Sequence, residues 1–96
     1  FDSGVSGQAA QKMAEKMRDI AKYIQVICIS HLPQVASMSD HHLLISKMSK
    51  NDRTTTQVKE LKKEDKIDEI ARMISGASVT ELTRENAREM IAQNHK

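Results

Sequence analysis

Gln25-Val26-Ile27-Cys28-Ile29-Ser30-His31-Leu32-Pro33 is the stretch on which the fold turns. Val26, Ile27, Cys28 and Ile29 are apolar in succession, with no alternation. A half-buried strand alternates apolar and polar side chains. A continuous run belongs to a strand covered on both faces, as in a parallel sheet. His31-Leu32-Pro33 ends the run, because proline cannot donate to a central ladder. Pro33 suits the first turn of a short helix reaching about Met38. Cys28, the single cysteine, reads as a small buried thiol. One cysteine excludes an internal disulfide framework and fits a reducing cytosol.

Upstream, over residues 8–22, Ala10, Met13, Ala14, Met17, Ile20 and Ala21 fall on one face of an amphipathic helix. Lys12, Glu15, Lys16, Arg18 and Asp19 fall off that stripe. The methionines read as core packing on the one apolar face available. Before this helix, Asp2-Ser3-Gly4-Val5-Ser6-Gly7 is turn chemistry, and Ser6 is placed to cap the helix. A helix followed by a buried strand is the second half of a βαβ unit. Its first strand is therefore expected just before Phe1. The chain starts without methionine and on loop residues, so residues 1–96 are expected to be a single, incomplete domain.

Downstream, residues 42–48 and the threonine-rich residues 54–61 read as two strands joined at Asn51-Asp52, an antiparallel hairpin at a sheet edge. Lys47, Lys50 and Lys59 would discourage edge-to-edge pairing. In residues 63–75, Ile67, Ile70, Ala71 and Ile74 keep helical spacing, and Gly76 supplies a stop. Ser78-Val79-Thr80-Glu81 has the form of a capping box, so a last helix should start at Val79 or Thr80. It carries Leu82, Ala87, Met90 and Ile91 on its apolar side. Arg84 and Arg88 are expected to pair locally with Glu81, Glu85 and Glu89, and Asn94-His95-Lys96 is expected to fray.

The bulk numbers exclude several classes. Of 96 residues, 39% are hydrophobic and 29% charged, and no apolar run approaches the roughly 20 residues of a membrane helix. The N-terminus lacks the basic-then-apolar form of a signal peptide. A net charge of +2 is too small to argue for nucleic acid on electrostatics. One Phe, one Tyr and no Trp make no base-stacking platform. Asp40-His41-His42 holds metal-ligand types, but adjacent strand residues point to opposite faces and rarely chelate one ion; no metal site is expected. Lys62, Lys63 and Lys66, interleaved with Glu64 and Asp65, read as a solvated mixed-charge face.

In open parallel sheets, ligands bind beyond the carboxyl ends of strands. Two loops here belong at such ends: Ser3 to Gly7, leaving the strand expected upstream, and Ser30-His31-Leu32-Pro33. A glycine-serine loop can bring backbone N–H groups to an anion, and an imidazole can donate to a phosphate oxygen or a water.

Taken in order, Asp2-Ser3-Gly4-Val5-Ser6-Gly7, a helix, and Gln25 to Ala36 resemble the pattern of the RecN family. Ser75-Gly76-Ala77, Val79-Thr80-Glu81 and Thr83-Arg84-Glu85-Asn86-Ala87-Arg88-Glu89 resemble its C-terminal signature. That family is similar to the structural-maintenance-of-chromosomes proteins, with an ABC-type ATPase head, a long coiled coil and a role in DNA double-strand-break repair and recombination. The resemblance implies an α/β fold: part of an ABC-type ATPase head lobe, half of a P-loop-like parallel sheet, with an edge β-hairpin and two C-terminal helices. It implies that Asp2, Ser3, Gly4, Val5, Ser6 and Gly7 form the D-loop at a head–head interface. It also implies that His31 is the switch histidine, sensing the γ-phosphate and orienting the attacking water. The cofactors implied are ATP and Mg²⁺. The partners implied are a second head in a homodimer, the rest of a RecN-like chain, and DNA through that parent, in a bacterial cytoplasm at the nucleoid and with no membrane. The phosphate loop, the catalytic Walker B glutamate and the ABC signature are absent from this sequence, so the isolated chain is expected not to hydrolyse ATP. The competing expectation is a self-contained helical interaction module with no nucleotide role, docking through residues 63–75 and 79–93.

Overall fold

Local propensities assemble into α1 (Gly7–Ala21), α2 (Pro33–Ser37), β1 (His42–Lys50), β2 (Arg53–Leu61), α3 (Lys63–Ser75) and α4 (Glu81–Asn94). The computed structural model describes residues 7–76 and 78–95. The expected helices and hairpin form. Pro33 occupies the first turn of α2. At the end of α3, Gly76 takes φ 81°, and its N–H donates to the Arg72 carbonyl at 2.8 Å. In that left-handed region a Cβ is strained, and glycine is not.

The start of α4 corrects the sequence reading. Its cap is Thr80, not Ser78. The Thr83 N–H donates to the Thr80 hydroxyl at 3.2 Å, and the Thr80 N–H donates to the Thr83 hydroxyl at 2.9 Å. A threonine hydroxyl thus does what a glutamate does in the usual box, and the helix begins at Glu81.

β1 and β2 pair antiparallel from His42↔Leu61 to Lys50↔Arg53. Asn51 (φ 53°) and Asp52 (φ 61°) are both left-handed, as a two-residue hairpin turn with the right twist requires. Leu61 is buried at the base, while both faces further out are open. Ile45 and Val58 face each other across the ladder, yet remain 57% and 61% exposed. An isolated two-stranded hairpin is marginal in water, so this one depends on its base.

The core lies where α3 crosses α4. Ile70, Ala71 and Ala87 are fully buried, with Ile67, Met73, Ile74, Met90 and Ile91 packed around them. Two alanines at the crossing allow close approach of the helices. Leu82, expected on the apolar side, is instead 70% exposed. It lies in the first turn of α4, beyond the reach of α3's stripe. On α1, Ala10 and Ala14 are buried against the neighbouring helix α2, whereas Ile20 near its end is 49% exposed.

The largest departure concerns residues 25–30. They form neither helix nor strand and join no ladder; the one sheet among the described residues is the hairpin. Ile27 and Ile29 are 82% and 86% exposed, and Cys28 is exposed rather than buried. A doubly covered strand needs a neighbour on each edge and a layer on each face, and the described residues supply neither. The half of a parallel sheet expected from the sequence is therefore not formed here. The radius of gyration, 14.3 Å, exceeds the roughly 12.5 Å of a compact chain this long, as an outlying hairpin and an unpacked segment require. No helix among the described residues is long and apolar enough to cross a membrane.

Candidate functional site

Gly7 opens α1 directly against α2. A Cβ built on it would meet Gln34 Nε2 at 3.5 Å. Gln34 is three residues beyond His31. The turn between them is held locally: the Leu32 N–H donates to Ser30 Oγ at 3.0 Å, and Pro33 begins α2. His31 is exposed. The first residue of α1 therefore lies against a side chain from the first turn of α2, the helix that follows the histidine turn. Asp2, Ser3, Gly4, Val5 and Ser6 lie outside the described residues. Gly7 alone represents that loop, and its nearness to Gln34 is what the structure brings together.

Behind this rim runs a buried polar network. Asn94 is 2% exposed and Ser37 is fully buried. Gln11 Nε2 donates to Asn94 Oδ1 at 2.8 Å, and Asn94 Nδ2 donates to Ser37 Oγ at 2.6 Å. Ser37 Oγ donates to the Gln34 carbonyl at 3.0 Å. The Arg18 guanidinium donates to the Asn94 carbonyl at 2.7 Å, and His95 Nε2 lies 3.0 Å from the Ser37 carbonyl. Arg18 thereby satisfies a carbonyl that a helix C-terminus leaves without an intrahelical partner, and its charge suits that end of the dipole. The expectation that residues 94 and 95 fray is overturned: buried hydrogen bonds hold them. The sequence did carry a sign of this. Asn94 continues the spacing of Ala87, Met90 and Ile91, and a polar residue on an apolar stripe needs buried partners.

A second cluster joins the hairpin to α3. Lys66 Nζ donates to the Ser39 carbonyl at 2.7 Å. Burial pushes this ammonium below its ordinary range, with Asp40 opposing. Lys66 is thus not part of a fully solvated face. Burial also lowers His42, helped by the Lys66 charge and opposed by Glu69, and the buried His42 Nδ1 has no hydrogen-bond partner. The neighbouring His41 diverges from it. It pairs with Glu60 at 2.8 Å, which holds the Glu60 carboxyl below its usual value. No group of three metal-ligating side chains converges among the described residues. On α4, Arg84 reaches across to Glu64 (2.7 Å) and Asp68 of α3 instead of pairing within its helix, while Arg88 pairs with Glu85 as expected.

The open side of the molecule is a groove of about 820 Å³. It is bounded by residues 24–31, by Met17 of α1, by Leu43 and Ile45 of β1, and by Met73 of α3. It is largely apolar, and it runs from the histidine turn to the hairpin base.

These features define a class: a small α/β unit in which α1 opens against α2, just beyond an exposed histidine, and which leaves one apolar side uncovered. No family model matches the chain. Curated relatives do. It is 58% identical over 90 residues to the DNA repair protein RecN of Halalkalibacterium halodurans, and 53% identical over 92 residues to that of Bacillus subtilis. It is 39% identical over 90 residues to RecN of Vibrio cholerae. These matches cover 94%, 96% and 94% of this chain but 16% of each relative. The chain is thus a RecN-type sequence, related to a C-terminal portion of those proteins.

Proposed function

We propose that this chain is the C-terminal part of the ATPase head of a RecN-type protein acting in DNA double-strand-break repair and recombination. The observation that supports this reading is the approach of Gly7 to Gln34, three residues beyond the exposed His31. In this role Asp2 to Gly7 form the D-loop, His31 is the switch histidine, and a second, identical head lies across the loop. The protein would act in the cytoplasm, at the nucleoid, and reach DNA through the rest of the parent chain.

The residues here fit one edge of a triphosphate and no more. An exposed imidazole at a turn can donate to a phosphate oxygen or hold a water by its N–H. The phosphate cradle and the ligands of Mg²⁺ would come from the remaining five-sixths of the parent, as the 16% coverage allows. Bound ATP and Mg²⁺ supply the scissile bond and the charge neutralisation of phosphoryl transfer. His31 orients, and the turn fixed by Ser30 and Pro33 keeps its backbone in place. The groove beside residues 24–31 fits the same reading, because the rest of the head would lay its sheet there and cover Ile27 and Ile29. The exposure of His31 weighs against the interaction-module reading, in which that side chain belongs in the core.

The test is steady-state ATP hydrolysis by the full-length protein carrying this segment. His31→Ala should lower kcat about 10²-fold, the scale of losing one positioned proton-handling or orienting group, with folding intact by circular dichroism. The isolated chain should show no magnesium-dependent turnover. An unchanged kcat for His31→Ala would remove the nucleotide role.

A further inference from the structure

We propose that Asn94 is a positioning residue: acting through Ser37, it fixes the His31 turn relative to the start of α1, which makes the last helix part of the nucleotide-responsive machinery. The inference rests on the reading above and extends it to α4.

The argument is one of connectivity. α1 packs on α2, and α2 packs on α3 and α4. α2 has five residues, too few to be rigid alone, and the buried residues of α1 are two alanines, Ala10 and Ala14. Such a smooth contact leaves the two helices able to slide. The polar bonds remove that freedom because they are directional. With the packing of Gly7 beside the Gln34 side chain they close a ring: the Gln34 carbonyl accepts from Ser37, Ser37 accepts from Asn94, Asn94 accepts from Gln11, and Gln11 lies one turn along α1 from Gly7. Asn94 is the member supplied by α4, and it uses both its amide nitrogen and its amide oxygen. Ser37 uses its hydroxyl once as donor and once as acceptor. No apolar side chain of similar size reproduces this pattern. Of the three elements the ring joins, α1 begins at Gly7 and α2 begins two residues after His31.

The experiment uses the full-length protein and measures kcat and KM for ATP in Asn94→Ala, Ser37→Ala and the double variant, beside His31→Ala and Ile70→Ala. Asn94→Ala and Ser37→Ala should each lower kcat about tenfold, with KM within about twofold. The double variant should be no worse than either, because one pathway is cut twice. Ile70→Ala loosens the α3–α4 core without touching the ring and reports the effect of lost stability alone; kcat at a temperature where it is folded should be unchanged. Should Asn94→Ala fail to fold, Gln11→Ala cuts the ring at its half-buried end, with about a threefold loss of kcat expected. If His31→Ala lowers kcat while the ring variants do not, or if Ile70→Ala lowers it equally, positioning by Asn94 is overturned and the nucleotide reading stands. If His31→Ala changes nothing, the nucleotide reading itself fails.

Discussion

Replacing Ile27 and Ile29 with lysine should suppress association of this chain with itself. The two side chains lie two residues apart, on a segment that forms neither helix nor strand, and both line the same groove. They are 82% and 86% exposed. Fully burying an isoleucine is worth about 1.5–3 kcal/mol, so covering this pair gains roughly 2.5–5 kcal/mol per chain. That is about 10²-fold or more in a dissociation constant. Ile24, Leu43, Ile45 and Val58 add further exposed apolar surface, between 55% and 61% each. Association itself costs at least about 4 kcal/mol in lost freedom, so the expected dimer is weak. Multi-angle light scattering between about 10 and 500 µM covers the range in which such a dimer dissociates. The weight-average mass of the wild-type chain should rise with concentration, and that of the double variant should stay at the monomer. A wild-type chain monomeric at the highest concentration, or a variant that associates equally, would show that this surface drives nothing.

Three further outcomes are expected. Ile70→Ala should cost about 2–4 kcal/mol of stability, since a fully buried isoleucine at the helix crossing leaves a cavity; denaturant titration measures it, and a loss below 1 kcal/mol would show that the crossing collapses around it. Asp52→Gly should stabilise the hairpin by about 0.5–1 kcal/mol, because a glycine accepts φ 61° without strain; an unchanged melting temperature counts against the turn geometry. The pKa of His42 is lowered on folding by burial and Lys66, against Glu69, so the unfolded chain takes up the proton first as pH falls. Stability is then complete above the unfolded value of about 6.5 and declines below it. Melting temperatures from pH 8 to 5 should fall less steeply for His42→Leu, and parallel curves would exclude the histidine as the cause.

Elements with a strong local period were legible in the sequence. The stripes of α1 and α3, the stop at Gly76 and the turn at Asn51-Asp52 follow from spacing and backbone preference, and these act over a few residues. The cap of α4 was misplaced because Ser78, with Glu81 three residues on, matches the usual box, whereas Thr80 is paired with Thr83, which that pattern does not include. Arg84 was assigned to its own helix because a sequence shows neighbours three and four apart, but not Glu64 and Asp68 across the crossing. The rim was half legible: His31 and Gly7 were each singled out, while the ring behind them links residues up to 83 apart.

Residues 24–31 mark the boundary most sharply. Their composition alone marked them as suited to a doubly covered strand. Whether they become one depends on backbone partners from elsewhere, since a ladder is a property of two segments and a helix of one. Only the tertiary structure decided that the run stays unpaired among the described residues, that Asn94 is buried rather than frayed, and that the first residue of α1 lies beside Gln34 of α2. The physical reason is common to all three. Local preference acts through adjacent bonds, whereas burial and pairing depend on which distant groups the fold brings within a few ångströms.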